Sequence, residues 1–271
     1  MSYYKVFGLD KEPFSTSPDP EFFYQSSSHY TALKRLEIAI RLRRGLSLVL
    51  GDVGTGKTTL SRTLLQAFHN EDDFIFHMIL DPSYKSEFQF LLSLVKMFNI
   101  TPAFKSTLDF KEALEKYLFQ KGVEENKTIV LLIDESQKLN FQNLEVLRTL
   151  LNYETNEYKL LQLVIMAQVE LLPRIKRINN FMDRVALKYV INPLDQAETK
   201  EMIDFRLKQA GLVGGDLFTE EATKLIYRHT QGYPRRIAML AHDALETIVM
   251  REQSIVDSEV IHSLIGEEAK V

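Results

Sequence analysis

The sequence predicts an α/β protein: a parallel sheet sandwiched by helices, followed by a small all-helical domain. Continuous apolar runs of strand length, such as Leu46 to Leu50, Thr128 to Ile133 and Leu161 to Ala167, carry no polar alternation, as expected of strands buried on both faces. Segments of helical periodicity separate these runs as far as Ile191, so the strands need crossover connections. Beyond Pro193 the strand pattern stops and only helical periodicity remains.

Residues 1 to 28 read as an arm; within it Pro13-Phe14, Pro18-Asp19-Pro20 and Ser26-Ser27-Ser28 favour extended, anchored chain. A helix is expected from His29, with Ala32, Leu33, Leu36, Ala39 and Ile40 at helical spacing and Gly45 as its stop. Leu46 to Leu50 is the first strand, followed by a glycine loop and a helix presenting Leu60, Leu64, Ala67 and Phe68. Phe74 to Leu80 is a second strand, and helices follow around Phe88 to Phe98 and Leu108 to Phe119. Thr128 to Ile133 is the third strand, Asn143 to Leu151 a helix, Leu161 to Ala167 the fourth strand, Leu171 to Ile178 a helix and Ala186 to Ile191 the fifth strand. This α/β domain spans 29–193. The helical domain, 194–271, reads as helices over Glu198 to Gln209, Glu220 to His229, Arg235 to Met250 and Asp257 to Ile265. Asp195 is a candidate cap for its first helix and Thr219, with Glu220-Glu221 behind it, for the second.

Composition removes several classes of function. The chain has 271 residues, 45% hydrophobic and 26% charged, which excludes disordered and fibrous architectures. Its 33 Lys and Arg against 37 Asp and Glu give a net charge of −4, too acidic for polyanion binding through overall charge. With no cysteine there is no disulfide, thiolate zinc site or cysteine nucleophile. The first residues lack a basic region followed by an apolar stretch, and no apolar run approaches the roughly 20 residues of a membrane span. The expectation is a cytoplasmic protein with no direct membrane insertion.

The strongest motif is Gly51-Asp52-Val53-Gly54-Thr55-Gly56-Lys57-Thr58, a complete G-x-x-x-x-G-K-T between an expected strand and an expected helix. Glycines let the backbone curl so that successive N–H groups and the helix N-terminus face phosphate oxygens. Lys57 then reaches the β- and γ-phosphates, and the Thr58 hydroxyl is placed to ligate Mg²⁺. The second motif is the strand Thr128 to Ile133 ending in Asp134-Glu135. It resembles a Walker B segment, in which Asp134 holds the magnesium through its water shell and Glu135 polarises the attacking water as general base. An Asp-Glu pair favours transfer to water over transfer to a second substrate. The two motifs together predict a P-loop hydrolase of a nucleoside triphosphate with Mg²⁺; that the nucleotide is ATP follows only from the resemblance below.

At this point the chain resembles the AAA+ ATPases, specifically the ExeA/GspA-like group related to the TnsC and TniB transposition ATPases. The residues that carry the resemblance are Phe7-Gly8-Leu9, Pro13-Phe14, Pro18-Asp19-Pro20 with Phe22-Phe23-Tyr24, His29 with Ala32-Leu33, Gly51 to Thr59, Asp134-Glu135 and Gly232-Tyr233-Pro234-Arg235-Arg236. The resemblance implies an AAA+ core with a helical lid, and a nucleotide-contacting loop that extends through Thr59. It also implies that the arm from Phe14 to Pro20 seats adenine, although the residues alone describe only an aromatic and proline-rich anchor. Gln168 stands where the family places sensor 1, after Ala167 where members often carry glycine; a solvated strand end is the other reading. Arg184 stands where related ATPases place an arginine finger for the neighbouring subunit, with Arg174 or Arg177 as substitutes and Asp183 as a surface ion-pair partner. Arg235 resembles sensor 2, while Arg236 reads as a surface or lid-packing residue. Asp81 either senses a ligand or caps a turn.

The engine does not name its load. The resemblance implies self-association into a ring or filament and a protein partner in envelope or secretion machinery, whose assembly or remodelling the ATPase drives. Secretion members of this type continue into a membrane span and a peptidoglycan-binding module that these 271 residues do not contain, so a membrane connection is expected through a partner. The alternative is a DNA-binding ATPase regulating transposition target selection. Two basic clusters would contact double-stranded DNA: Lys34, Arg35, Arg41, Arg43 and Arg44, and Arg174, Lys176 and Arg177. Each also reads as an ordinary solvated helix face.

Overall fold

The computed structural model describes residues 3–101 and 105–268. The ends of the arm and lid ranges read from the sequence, 1–2 and 269–271, lie outside the described residues. The chain divides into two compact units, one of Met1–Ser28, Val53–Thr59 and Asn192–Val271, the other of His29–Asp52 and Leu60–Ile191.

In the α/β unit, α1 (Ser27–Arg41) leads to β1 (Leu46–Leu50), and α2 (Lys57–Ala67) to β2 (Phe74–Ile79). Next come α3 (Glu87–Met97), α4 (Thr107–Phe119), β3 (Thr128–Ile133), α5 (Phe141–Leu150), β4 (Leu161–Ala167), α6 (Leu172–Ile175) and β5 (Val185–Val190). Ser86, Ser106 and Asn140 accept backbone N–H groups at the starts of α3, α4 and α5, satisfying donors that have no partner inside a helix. α6 is shorter than its periodicity predicts. Beyond it the bonds close only three residues back, Arg177 to Arg174 at 3.1 Å and Ile178 to Ile175 at 3.0 Å, so the apolar spacing is met by a tighter coil.

All strand pairs are parallel, in the order β2-β3-β4-β1-β5. Leu46, Leu48 and Leu50 of β1 and their counterparts Ile129, Leu131, Ile133, Leu161, Leu163 and Ile165 share one core with α3, α4 and α5. By the two-residue period of a strand, Val49, Val130, Leu132, Val164 and Met166 point to the other face, and they are buried too. The buried residues of α1 and α2, such as Leu36, Ile40, Leu60 and Leu64, stand outside the first core and suit this second face. The continuous apolar strands of the sequence follow from this double coverage. β5, at the edge, alternates between half-buried and exposed instead.

The helical unit contains α7 (Gln196–Gln209), α8 (Glu220–Thr230), α9 (Pro234–Met250) and α10 (Ser258–Glu268). Asp195 and Glu198 form a reciprocal capping box on α7, and Thr219 caps α8, as the sequence leads one to expect. The arm belongs to this unit. Leu9, Phe14 and Phe22 join its core, the Asp10 N–H donates to the Ala210 carbonyl at 2.8 Å, and the Arg206 guanidinium donates to the Ser15 carbonyl at 2.8 Å. Burial pushes the Arg206 pKa down to about 10, so it stays charged at neutral pH and ties the arm to α7.

Gly232 sets the path between α8 and α9. Its φ is +75°, and a Cβ there would lie 1.9 Å from the Leu194 carbonyl oxygen, which no rotamer change relieves. The Gly232 carbonyl in turn accepts the Leu194 N–H at 2.9 Å. Gly232→Ala is therefore expected to destabilise the protein by at least about 1 kcal/mol, combining backbone strain with a main-chain clash; chemical denaturation of the two forms measures it.

Candidate functional site

The sheet places its polar residues by strand order. β4 lies between β1 and β3, so Gly51-Asp52, Gln168 and Asp134-Glu135 follow the carboxyl ends of three adjacent parallel strands. That edge is where ligands collect in open α/β sheets. The Gly51 N–H donates to the Ala167 carbonyl at 3.1 Å, and the Asp134 N–H to the Ile79 carbonyl at 2.8 Å, extending the ladders one residue beyond the strands.

The rest of the glycine loop belongs to the helical unit. Gly54 and Gly56 have φ of +81° and +91°, backbone that an L side chain adopts only with strain. A Cβ on Gly54 would stand 3.1 Å from the Arg235 Cβ, and the Arg235 N–H donates to the Gly54 carbonyl at 3.2 Å. The first turn of α9 thus touches the loop through Arg235, whose side chain is exposed. Val53 is exposed, Gly54, Gly56, Thr58 and Thr59 are half-buried, and Thr55 and Lys57 are buried. Lys57 opens α2, so the loop amides and a helix N-terminus come together with a buried ammonium. That donor set fits a polyphosphate. Asp134, buried at the end of β3, carries hard carboxylate oxygens of the kind that Mg²⁺ takes, and within the loop the Thr58 hydroxyl is a hard oxygen as well.

Glu135 is strained. Its φ of 49° and ψ of 32° are left-handed, costing roughly 1–2 kcal/mol for a residue that is not glycine. The turn holds it there: the Glu135 N–H donates to Asp134 Oδ1 at 2.8 Å and the Ser136 hydroxyl to the Ile133 carbonyl at 2.8 Å. A residue that pattern reading missed, Gln137, completes the arrangement. Its Nε2 donates to Glu135 Oε2 at 2.8 Å and its Oε1 accepts the Gln168 N–H at 3.2 Å. Its own carbonyl accepts from Arg174 Nη1 at 2.7 Å. The amide two residues after Glu135 was visible in the sequence, but nothing there marks a partner 31 residues away.

Other candidates fall elsewhere. Arg184 precedes β5 at the amino edge of the sheet. Six residues of strand, roughly 20 Å, separate it from the opposite edge, beyond the reach of an arginine side chain to Gly51 and Asp52 of its own chain. It is half-buried, its Nε has no hydrogen-bond partner, and its charge joins burial in lowering the pKa of Lys159. Asp183 and Arg177 are exposed. Asp81 caps a turn, accepting from the Ser83 hydroxyl and pairing with Lys138 at 3.4 Å; the Ser83 bond holds its carboxyl below the usual range. Arg236 lies over the Tyr233 ring, 5.1 Å from its centroid, a packing role.

Much of the first basic cluster is engaged within the α/β unit. Lys34 pairs with Glu37 at 2.9 Å and Arg41 with Glu71 at 2.6 Å. Arg35 lies over Tyr189, and Arg43 over Tyr158 while donating to Thr128 Oγ1 at 2.9 Å. Of the second cluster, Arg174 holds the Gln137 carbonyl, while Lys176 and Arg177 are exposed. Among the described residues no helix is long and apolar enough to cross a membrane.

Residues 40–175 match the AAA domain family. The chain is 35% identical over 245 residues to General secretion pathway protein A of Aeromonas hydrophila, a match taking in 90% of this chain and 44% of that protein. The chain thus spans less than half the length of that curated relative. Among solved structures, Drosophila ORC bound to DNA superposes with a TM-score of 0.72 at 22% identity, covering 99% of this chain and 66% of that one. The ORC2 protein of Aeropyrum pernix superposes with a TM-score of 0.68 at 15% identity, covering 95% and 72%. At such identities these two likenesses establish the fold alone.

Proposed function

The chain belongs to the AAA domain family of ATPases, and from that premise we propose that it is an ATP-dependent molecular switch of the ExeA/GspA type. In this reading it self-associates through its nucleotide site and drives assembly or remodelling of a protein complex. The observation that carries the reading is the strained Glu135, fixed beside buried Asp134 on the sheet edge that begins the glycine loop. A chain that only bound nucleotide would have no use for a carboxylate held at that cost.

The roles follow from chemistry. The loop amides from Gly51 to Thr59 and the Lys57 ammonium bind the phosphates; Thr58 and Asp134 hold Mg²⁺, which offsets phosphate charge when bound. Glu135 accepts a proton from the attacking water, and Gln168, at the end of β4, orients it. Arg235, already joined to the loop through its backbone, reports the state of the phosphates to α9. The arm from Phe14 to Pro20 seats the adenine. Arg184, too far from Gly51 and Asp52 of its own chain, serves a neighbouring protomer, which makes turnover depend on assembly. The secretion-related load rests on the 35% identity to General secretion pathway protein A, and the work is read as cytoplasmic. The engaged side chains of the first basic cluster give the double-stranded DNA reading no support.

Lys57→Ala is expected to weaken ATP binding roughly 100-fold or more, since one charge-assisted phosphate contact and a buried cation disappear together; isothermal titration reads this directly. Glu135→Gln should keep ATP affinity while turnover falls by roughly 10²- to 10⁴-fold, and equal turnover would mean that another base acts. Arg184→Ala should leave ATP binding unchanged and remove the rise of specific activity with protein concentration. Mixed into wild type, it should depress activity more than simple dilution does. Steady-state hydrolysis with added double-stranded DNA tests the load: salt-sensitive stimulation would overturn the protein-directed reading in favour of the DNA-directed one.

A further inference from the structure

We infer that Gln137 is a positioning residue for ATP hydrolysis, one that couples the end of β4 to the general base. The inference rests on the reading of Glu135 as that base. It begins with an unequal register. Ala167 of β4 stands opposite Leu50 of β1, but Ile165 already stands opposite the last residue of β3, Ile133. β4 therefore runs two residues beyond the end of β3. The Ala167 carbonyl turns towards β1, where it accepts from Gly51, so the Gln168 N–H turns the other way, to the side that β3 has left. A backbone donor there needs an acceptor, and Gln137 Oε1 supplies it at 3.2 Å.

The same amide's other end meets the base, Nε2 donating to Glu135 Oε2 at 2.8 Å. Both contacts fix the amide's orientation by chemistry: a backbone N–H can only donate and an ionised carboxylate can only accept. The carboxamide of glutamine offers a donor and an acceptor in a single plane at this length. With one carboxylate oxygen committed to Gln137, the other is left to take the proton of water. The Arg174 guanidinium donates to the Gln137 carbonyl at 2.7 Å, so the link is fixed at both backbone and side chain. A movement of Gln168 at the end of β4 is thereby transmitted to the Glu135 carboxylate by two hydrogen bonds.

The test is a double-mutant cycle on turnover and ATP affinity. Gln137→Met keeps length and removes both hydrogen bonds; Gln137→Asn keeps the amide but falls one methylene short. Each should lower kcat by roughly 10- to 100-fold, the scale of a displaced catalytic group, with KM and the ATP dissociation constant within about 2-fold of wild type. Far-UV circular dichroism and thermal unfolding check the fold, and Gln137→Asn is the variant read if Gln137→Met does not fold. In a Glu135→Gln background, Gln137→Met should produce no further loss, because a residue that acts only through the base has nothing left to position. Wild-type kcat in both Gln137 variants, or losses that add fully to that of Glu135→Gln, would overturn the inference while leaving the base in place. Wild-type turnover in Glu135→Gln alone would remove the base assignment, and this inference with it.

Discussion

The candidate catalytic edge depends on β4, which is inserted between β1 and β3 and paired in parallel with both. Because parallel strands finish at a common edge, that insertion draws together the chain that follows β1, β3 and β4, although Gly51 and Gln168 lie more than a hundred residues apart in sequence. Both faces of the sheet are covered by helices, so the strands cannot slip without exposing buried leucines and isoleucines. The register that levels Leu50 with Ala167, and lets β4 overrun β3 by two residues, is thus held by the whole core. Chemistry at the edge inherits its precision from packing well below it.

Polar groups at that edge are arranged by the demands of backbone satisfaction. Where β3 leaves the sheet, the chain must reverse, and Glu135 takes the left-handed conformation that the reversal requires. Where β4 runs past the end of β3, the Gln168 N–H on that side needs an acceptor, and Gln137 provides one. These two local solutions set a carboxylate and an amide against each other at 2.8 Å. Strain at Glu135 is tolerable because the Ser136 and Asp134 side chains close the turn around it.

The helical unit is organised by a different constraint. Its helices take the amino-terminal arm into their core through Leu9, Phe14 and Phe22, and a buried arginine, Arg206, donates to a carbonyl of that arm and lies over the Phe22 ring. The first turn of α9 is placed by Gly232, where no side chain fits beside Leu194, and this brings the backbone of Arg235 to Gly54. A residue that reads from the sequence as a lid arginine is therefore anchored to the glycine loop through its main chain, with its guanidinium exposed.

The sequence by itself determined the elements and the principal chemistry. Strand extents were legible to within a residue, for β1, β3 and β4 because doubly buried strands must be continuously apolar, and the loop from Gly51 to Thr58 is legible because phosphate chemistry demands glycine, lysine and threonine at fixed spacing. Helix caps at Asp195 and Thr219 were legible for the same local reason. What the sequence could not contain was strand order, since apolar runs that are equally buried do not say which pairs with which. Tertiary structure decided that Asp134, Glu135 and Gln168 share one edge and that Arg184 stands at the other. It also paired most of the basic side chains near α1 with acids, rings and carbonyls along the surface, where sequence showed only a charged segment. The Gln137 link was decided there as well, because a hydrogen bond across 31 residues exists only once the sheet has set the ends of β3 and β4 side by side.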